Sequence, residues 1–382
     1  MESGKDWTMS RTEKTPKSGF RKKSLDPQQL SAFIAPQIDL PPDQPRFLIS
    51  RLGKIGDSIL TMPVACALRE HLPGAYIAWA VEEDSVPVLE NHPAVDDVVV
   101  MNPGWLASPN RLRAARNQLH RLACDVAIDC QGGGASALAC FLSGAAHRIG
   151  YAGKSVHGIS RWISNVHVQP VFKHLTDRSL ELLTPLGIHK PTVRWQYPIA
   201  APAQRWASRY RNTFSSNRIA LLNPGATWHS KRWLPERFGE VAQYLGREYG
   251  YTSIAVWGNG LDHALASDIV LTSGGHAVLA PETDLQHLAA LIESSDLLIS
   301  SDTGPLHMGV AVGTPVIGLY GATQPGDRGP YGQIAIQKAY ESGSRRQRRN
   351  ASNAAMCAIT VQDVCRAIEQ MNLPAIYQLQ AA

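Results

Sequence analysis

The sequence lacks several common signatures, and each absence excludes a class. No uncharged apolar run approaches the roughly 18 residues that a membrane-spanning helix needs. Met1 to Lys23 is polar and basic, without the apolar stretch of a secretory signal. The six cysteines (Cys66, Cys124, Cys130, Cys140, Cys357, Cys365) include no Cys-x-x-Cys pair, which argues against a disulfide scaffold and a structural zinc site. Neither Gly-x-Gly-x-x-Gly nor Gly-x-x-x-x-Gly-Lys-Ser/Thr occurs. No short-period repeat is visible. Charge of one sign is also scarce: 37 Lys and Arg stand against 32 Asp and Glu, a net +5 that is too mild to argue for a nucleic-acid partner. What remains is a 382-residue chain, 44% apolar and 18% charged. At about 150 residues per domain it has room for two or three domains with sizeable cores. A cytoplasmic protein is expected.

The chain divides unevenly. Residues 1–45 read as a disordered basic tail, with Lys14, Lys17, Arg21, Lys22 and Lys23 ahead of a Pro-rich stretch. From Arg46 the pattern alternates. Arg46 to Arg51 is an apolar strand, and Ile59 to Leu72 a helix with Pro63 in its first turn. Ala75 to Val81, Val95 to Met101 and Asp125 to Asp129 are further strands, with a helix at Arg111 to Leu122. The alternation restarts at Arg218, with strands at Ile219–Asn223, Ser253–Trp257, Leu297–Ser300 and Val316–Tyr320. Helices fall at Pro235–Tyr249, Leu261–Leu271, Leu285–Glu293 and Pro305–Val312. Alternating strands and helices predict α/β architecture with parallel sheets. The two units, residues 46–200 and 217–345, join near Tyr197–Ser216. Ser342 to Ala355 reads as a mobile Arg-rich loop, and residues 361–372 as a final amphipathic helix.

Ligands of doubly wound sheets bind at the carboxyl ends of the strands, so the loops after strands are the candidate sites. The first runs from Arg51 to Ser58. Its glycines allow close backbone approach, and Asp57 reads either as a helix cap or as a general base. The second runs from Asn223 to Phe238. Lys231 and Arg232 near a helix start suit a phosphate, or else are solvated. The third is Ser300 to Met308. Its amides at Thr303, Gly304 and Leu306 could hold an anion, although Asp302 also reads as a cap and His307 as a packed side chain. The fourth, Gly321 to Gly326, follows the next strand.

Taken together, these loops resemble glycosyltransferase family 9, the lipopolysaccharide heptosyltransferases. The resemblance runs from Arg46 to about Met371. It is carried by Arg51-Leu52-(x)3-Gly56-Asp57-(x)5-Pro63, by Asn91 to Asp96, and by Asp125 to Gln131. The strongest blocks are Pro224-Gly225-Ala226-(x)4-Lys231-Arg232-Trp233-(x)2-Glu236-Arg237-Phe238 and Ser301-Asp302-Thr303-Gly304-Pro305-Leu306-His307. Gly321 to Pro325 and Gly329 to Gly332 follow in order.

This resemblance implies a GT-B fold: two Rossmann-like doubly wound domains facing across a cleft. The first would hold the acceptor and the second the nucleotide-sugar donor, with the terminal helix packing back towards the first. It implies an inverting, metal-independent transfer of heptose from ADP-heptose to an inner-core acceptor of the lipid A–Kdo type. The absence of Asp-x-Asp agrees with that, and no cofactor is expected beyond the nucleotide sugar. Asp57 matches the general base. Thr227 and Lys231 match residues near the donor diphosphate, with Lys231 assisting catalysis. Asp262 stands where a Glu often holds the ribose, and Asp302, Thr303, Gly304 and His307 match the donor-binding loop. Lys54 and Ile55 replace the usual Ser-Ser pair, and the cysteine cluster before the last helix is reduced to Met356-Cys357. Peripheral contact with the anionic inner face of the cytoplasmic membrane is expected, and nucleic acid is not. Transfer of another nucleotide sugar to a different glycan, or donor binding without catalysis, stays open as an alternative.

Overall fold

The structure, a computed structural model, describes residues 37–41, 43–153 and 160–373. Most of the basic tail, including Lys14, Lys17, Arg21, Lys22 and Lys23, lies outside the described residues, as does Lys154. The tail's last part is ordered, contrary to expectation. Ile38 is buried, and its N–H donates to the Pro185 carbonyl at 2.8 Å.

Two six-stranded parallel sheets form the core. The first contains β1 (Arg46–Ser50), β2 (Tyr76–Val81), β3 (Asp97–Val100), β4 (Val126–Asp129), β5 (His147–Tyr151) and β6 (Val166–Val168), in the order β3-β2-β1-β4-β5-β6. The second contains β7 (Ile219–Asn223), β8 (Thr252–Ala255), β9 (Ala277–Leu279), β10 (Leu297–Ser301), β11 (Val316–Tyr320) and β12 (Ile334–Gln337), in the order β12-β11-β10-β7-β8-β9. Read from the other edge, this is the same doubly wound order twice. Each sheet therefore has one switch point, between β1 and β4 and between β7 and β10.

The central strands are covered by helices on both faces. Phe47, Leu48 and Ile49 of β1 and Leu221 and Leu222 of β7 have no exposed surface. Full burial of such a side chain contributes about 1.5–3 kcal/mol. The helices Ile55–His71 and Gly304–Val312, one from each half, pack against each other. One hydrophobic cluster consequently runs from Phe47 and Trp79 of the first half to Leu298 and Tyr320 of the second.

Four boundaries differ from the sequence reading. The first helix begins at Ile55 rather than Ile59, so Pro63 lies inside it. The helix Ala201–Arg211 occupies the expected junction and packs on Leu285–Glu293, which places the start of the second unit near residue 201. Ala203 and Ala207 nest against Ala290, and Trp206 stands edge-on to His287. The Arg-rich segment is a short helix, Arg345–Asn350, started by a capping box between Ser344 and Gln347. The last helix, Val361–Gln370, packs on Pro235–Tyr249 and β12 rather than back on the first unit, because its apolar residues Val364, Ala367 and Ile368 join the second unit's outer core.

Candidate active site

The loop after β1 leads into the first turn of Ile55–His71. Lys54 occupies the N-cap and makes no side-chain cap bond, and Asp57 is the third helical residue. The capping reading of Asp57 therefore falls. Its carboxylate, 20% exposed, lies between two guanidinium groups. Arg51, which is fully buried, approaches Asp57 Oδ2 at 3.4 Å. Arg328, from the second half and half exposed, approaches Oδ1 at 2.9 Å. Arg51 also donates to the Cys130 carbonyl at 2.5 Å, which ties the ends of β1 and β4 together at the first switch point.

The loops of the second switch point form a buried polar knot. Lys231 Nζ lies 2.6 Å from Asp302 Oδ2 and 3.2 Å from the Asp302 carbonyl. Thr323, after β11, donates to the same carboxylate oxygen at 2.6 Å. His307 Nε2 stands 3.5 Å from Oδ1. Burial alone would push the Asp302 carboxyl up. The His307 hydrogen bond and the Lys231 charge outweigh it and hold the group well below its ordinary value. Asn223 of β7 donates to Ser300 at 2.8 Å and to Thr303 at 3.0 Å.

Thr303, not Asp302, is the N-cap of Gly304–Val312, and its hydroxyl donates to the Ser301 carbonyl at 3.1 Å instead of capping. The first turn of this nine-residue helix thus has no side-chain cap, at the positive end of its dipole. His307 Nδ1 is buried and, among the described residues, has no hydrogen-bond partner.

The two switch points meet. A Cβ on Gly56 would lie 2.8 Å from His307 Cδ2, and a Cβ on Gly304 would lie 3.4 Å from Ile55 Cγ2. At Gly56 a side chain would have to displace His307, so glycine is needed there, whereas the Gly304–Ile55 spacing is an ordinary contact. The fold brings Asp57, one residue from Gly56, to the edge of the loop that carries Asp302 and His307. Chemically, the site offers a carboxylate on one side. On the other it offers an ammonium and a set of free amides suited to an anion. Among the described residues no three His, Cys, Asp or Glu side chains gather closely enough to hold a metal ion.

The chain's match to a family model decides its kinship: residues 112–356 match glycosyltransferase family 9 (heptosyltransferase). The chain belongs to glycosyltransferase family 9. It is 26% identical over 300 residues to lipopolysaccharide heptosyltransferase 1 of Salmonella typhimurium, covering 75% of this chain and 92% of that one. It is 25% identical over 328 residues to lipopolysaccharide heptosyltransferase 3 of Escherichia coli K12, covering 83% and 95%. Among solved structures, a family 9 glycosyltransferase from Veillonella parvula superposes with a TM-score of 0.71 at 23% identity, over 86% of this chain and 97% of that one. An E. coli heptosyltransferase solved with ADP superposes with a TM-score of 0.66 at 23% identity, over 85% and 99%. The fold is GT-B, as the sequence implied, and the protein is a glycosyltransferase.

Within this family 9 chain, Lys231 and His307 both reach Asp302, in the loop that also carries Thr303 and Gly304. Thr227 is exposed on the loop beside them. Asp262 lies in the first turn of Gly260–Thr272, close under Gly225. A Cβ on that glycine would come within 3.0 Å of all three atoms of the carboxyl group. Asn259 donates to Asp262 Oδ2 at 2.8 Å, while Oδ1 is buried and has no partner among the described residues. Burial raises the Asp262 carboxyl, against the opposing charge of Arg232.

Two site features escaped the sequence reading. Arg328 ends the short helix Pro325–Arg328, and nothing in its local sequence marks it as reaching the other half. Trp228 lies under two cations, with Lys231 Nζ 4.8 Å and the Arg345 guanidinium 5.9 Å from its ring centre. An aromatic residue three before a lysine in a donor loop was the available signal.

Proposed function

We propose that the protein is an inverting, metal-independent heptosyltransferase. It would move heptose from ADP-heptose to an inner-core lipopolysaccharide acceptor of the lipid A–Kdo type, at the inner face of the cytoplasmic membrane. The observation that carries this reading is the apposition of Asp57 to the Asp302–His307 loop through the Gly56–His307 contact. It sets a proton acceptor from one half against an anion-holding loop from the other.

In this mechanism Asp57 takes the proton of an acceptor hydroxyl. The oxygen attacks the anomeric carbon from the face opposite the diphosphate and inverts it. Charge accumulates on the departing ADP. Lys231 and the uncapped amides after Thr303 are placed to meet it, with Thr227 beside them. The Thr303 hydroxyl is spent within its loop, so the backbone there contributes more than the side chain. Asp262, with one buried oxygen unpartnered, suits a ribose hydroxyl as donor. Arg328 pairs with Asp57 Oδ1, and its exposure lets it swing aside when an acceptor enters.

The adenine nucleotide is favoured by the relatives solved with ADP and with ADP-2-deoxy-2-fluoro heptose. Ile55, one of the two departures from the usual acceptor loop, packs on Gly304, which leaves exposed Lys54 as the departure that meets an acceptor. A thermal-shift panel of nucleotide diphosphates tests the donor class. Stabilisation by ADP over UDP and GDP is expected, and stabilisation by UDP or GDP alone overturns it.

A further inference from the structure

From Cys130 to Thr176 the sequence contains no Asp or Glu, while it carries Arg148, Lys154, Arg161 and Lys173. This stretch supplies the outer edge of the first sheet, β5 and β6, and three of its large apolar side chains stand out of the surface. Trp162 is 79% exposed, Phe141 54% and Phe172 51%. Single exposed apolar side chains are ordinary, but a contiguous apolar patch marks an interaction surface.

Two of them, Phe141 and Trp162, stand beside cations. The Arg148 guanidinium stacks 5.8 Å from the Phe141 ring centre and donates to the Ile163 carbonyl at 2.9 Å. It thereby links the helix Gly134–Leu142 to the helix Ser160–Ile163, which pack on each other. Arg161 lies 5.2 Å from the Trp162 ring centre. Among the described residues neither arginine has an ion-pair partner. The nearest acidic side chain in sequence beyond Asp177, Glu181, is turned onto the backbone amides of Val171 and Phe172, at 3.0 and 3.3 Å.

We infer that this edge is a peripheral docking surface for an anionic lipid bilayer. Trp162 and Phe141 enter the headgroup boundary, and Arg148 and Arg161 meet lipid phosphates. The chemistry fits that occupant on two counts. Aromatic rings flanked by unpaired cations match an interface that is apolar within and negative at its face. No helix among the described residues is long and apolar enough to cross a membrane, so contact of this kind would be from one side. The inference rests on the proposed lipid-linked acceptor only for its purpose. It would hold the first, acceptor-holding half at the surface where such an acceptor lies.

The test is flotation of the full chain with vesicles containing no acceptor. One set is phosphatidylcholine alone, the other phosphatidylcholine mixed with phosphatidylglycerol, each at low and high salt. Flotation with the anionic vesicles only, weakened by salt, is expected. The double variant F141S/W162S should lose at least an order of magnitude in vesicle partition while keeping its thermal midpoint and its turnover on a soluble truncated acceptor. Should that variant fold poorly, Arg161→Glu gives the same reading through charge. Undiminished binding by a folded variant overturns the proposal, because the basic tail alone would then account for binding. Turnover without any flotation overturns it too and leaves the enzymatic reading standing. Flotation without turnover on ADP-heptose leaves the surface standing and sinks the donor assignment.

Discussion

Replacing Lys231 with alanine separates a structural from a catalytic charge. The ammonium is 2.6 Å from Asp302 Oδ2, and both groups are largely buried. Breaking a buried pair by removing one partner costs about 3–5 kcal/mol, and an exposed pair about 0–1. Here Asp302 keeps the Thr323 hydroxyl at 2.6 Å and His307 at 3.5 Å. The expected loss is therefore intermediate, about 2 kcal/mol, read as a lower denaturation midpoint. The kinetic effect should be larger. A single well-placed group facing leaving-group charge is typically worth about 2.7–4 kcal/mol, or roughly 10²–10³-fold in rate. Steady-state ADP release at saturating donor, run below the variant's melting temperature, measures it. Lys231→Arg keeps the charge but changes its shape and should recover only part of the rate. A destabilised Lys231→Ala enzyme with unchanged kcat would refute the reasoning. Lys231 would then serve only to neutralise Asp302.

The remaining expectations concern the groups around this knot. Gly56→Ala forces a Cβ to within 2.8 Å of His307 Cδ2. Overpacking of this kind typically costs about 1–3 kcal/mol, so thermal denaturation should fall by that order, with a loss of turnover as the two halves are pushed apart. For Asp302, the folded carboxyl is held below its ordinary value. The stabilisation is therefore present above the ordinary Asp range and is lost as pH falls beneath it. Asp302→Asn removes this dependence, so urea midpoints of variant and wild type should differ most at neutral pH and converge in acid. Arg328→Ala should cost at most about 1 kcal/mol and lower the acceptor KM, since the incoming hydroxyl no longer displaces a guanidinium. A raised KM would place Arg328 on a substrate instead.

What the sequence disclosed follows from burial. The central strands β7 and β11 and the helices Pro235–Tyr249 and Leu285–Glu293 were legible to the residue, because strands covered on both faces read as unbroken apolar runs between Gly, Pro and polar turns. The outer strands were not. β5 begins His-Arg, β6 has three residues around a histidine, and β12 alternates with exposed Ala335. Short edge strands carry little apolar signal. The helix Gly134–Leu142, an Ala-rich segment after three glycines, was hidden for the opposite reason: its loop signal preceded a run with no polar face.

The site was legible where one loop held several of its residues, as in Ser301 to His307. It was obscure where the fold joined distant ones. Asp57 looked like a cap because the helix seemed to start after it. The true start at Ile55, fixed by Ile55 packing on Gly304, turns the carboxylate towards Arg51 and Arg328. The terminal helix was assigned to the wrong half because its apolar face, Val364, Ala367 and Ile368, names no partner in one dimension.

The account stands most directly on Asp57. Purified protein, supplied with ADP-heptose and a lipid A–Kdo type acceptor, should release ADP and form a heptosylated product of inverted anomeric configuration. Asp57→Asn, with the fold and ADP binding verified separately, should remove most of that turnover. An Asp57→Asn enzyme that binds ADP and turns over at the wild-type rate would contradict the central claim.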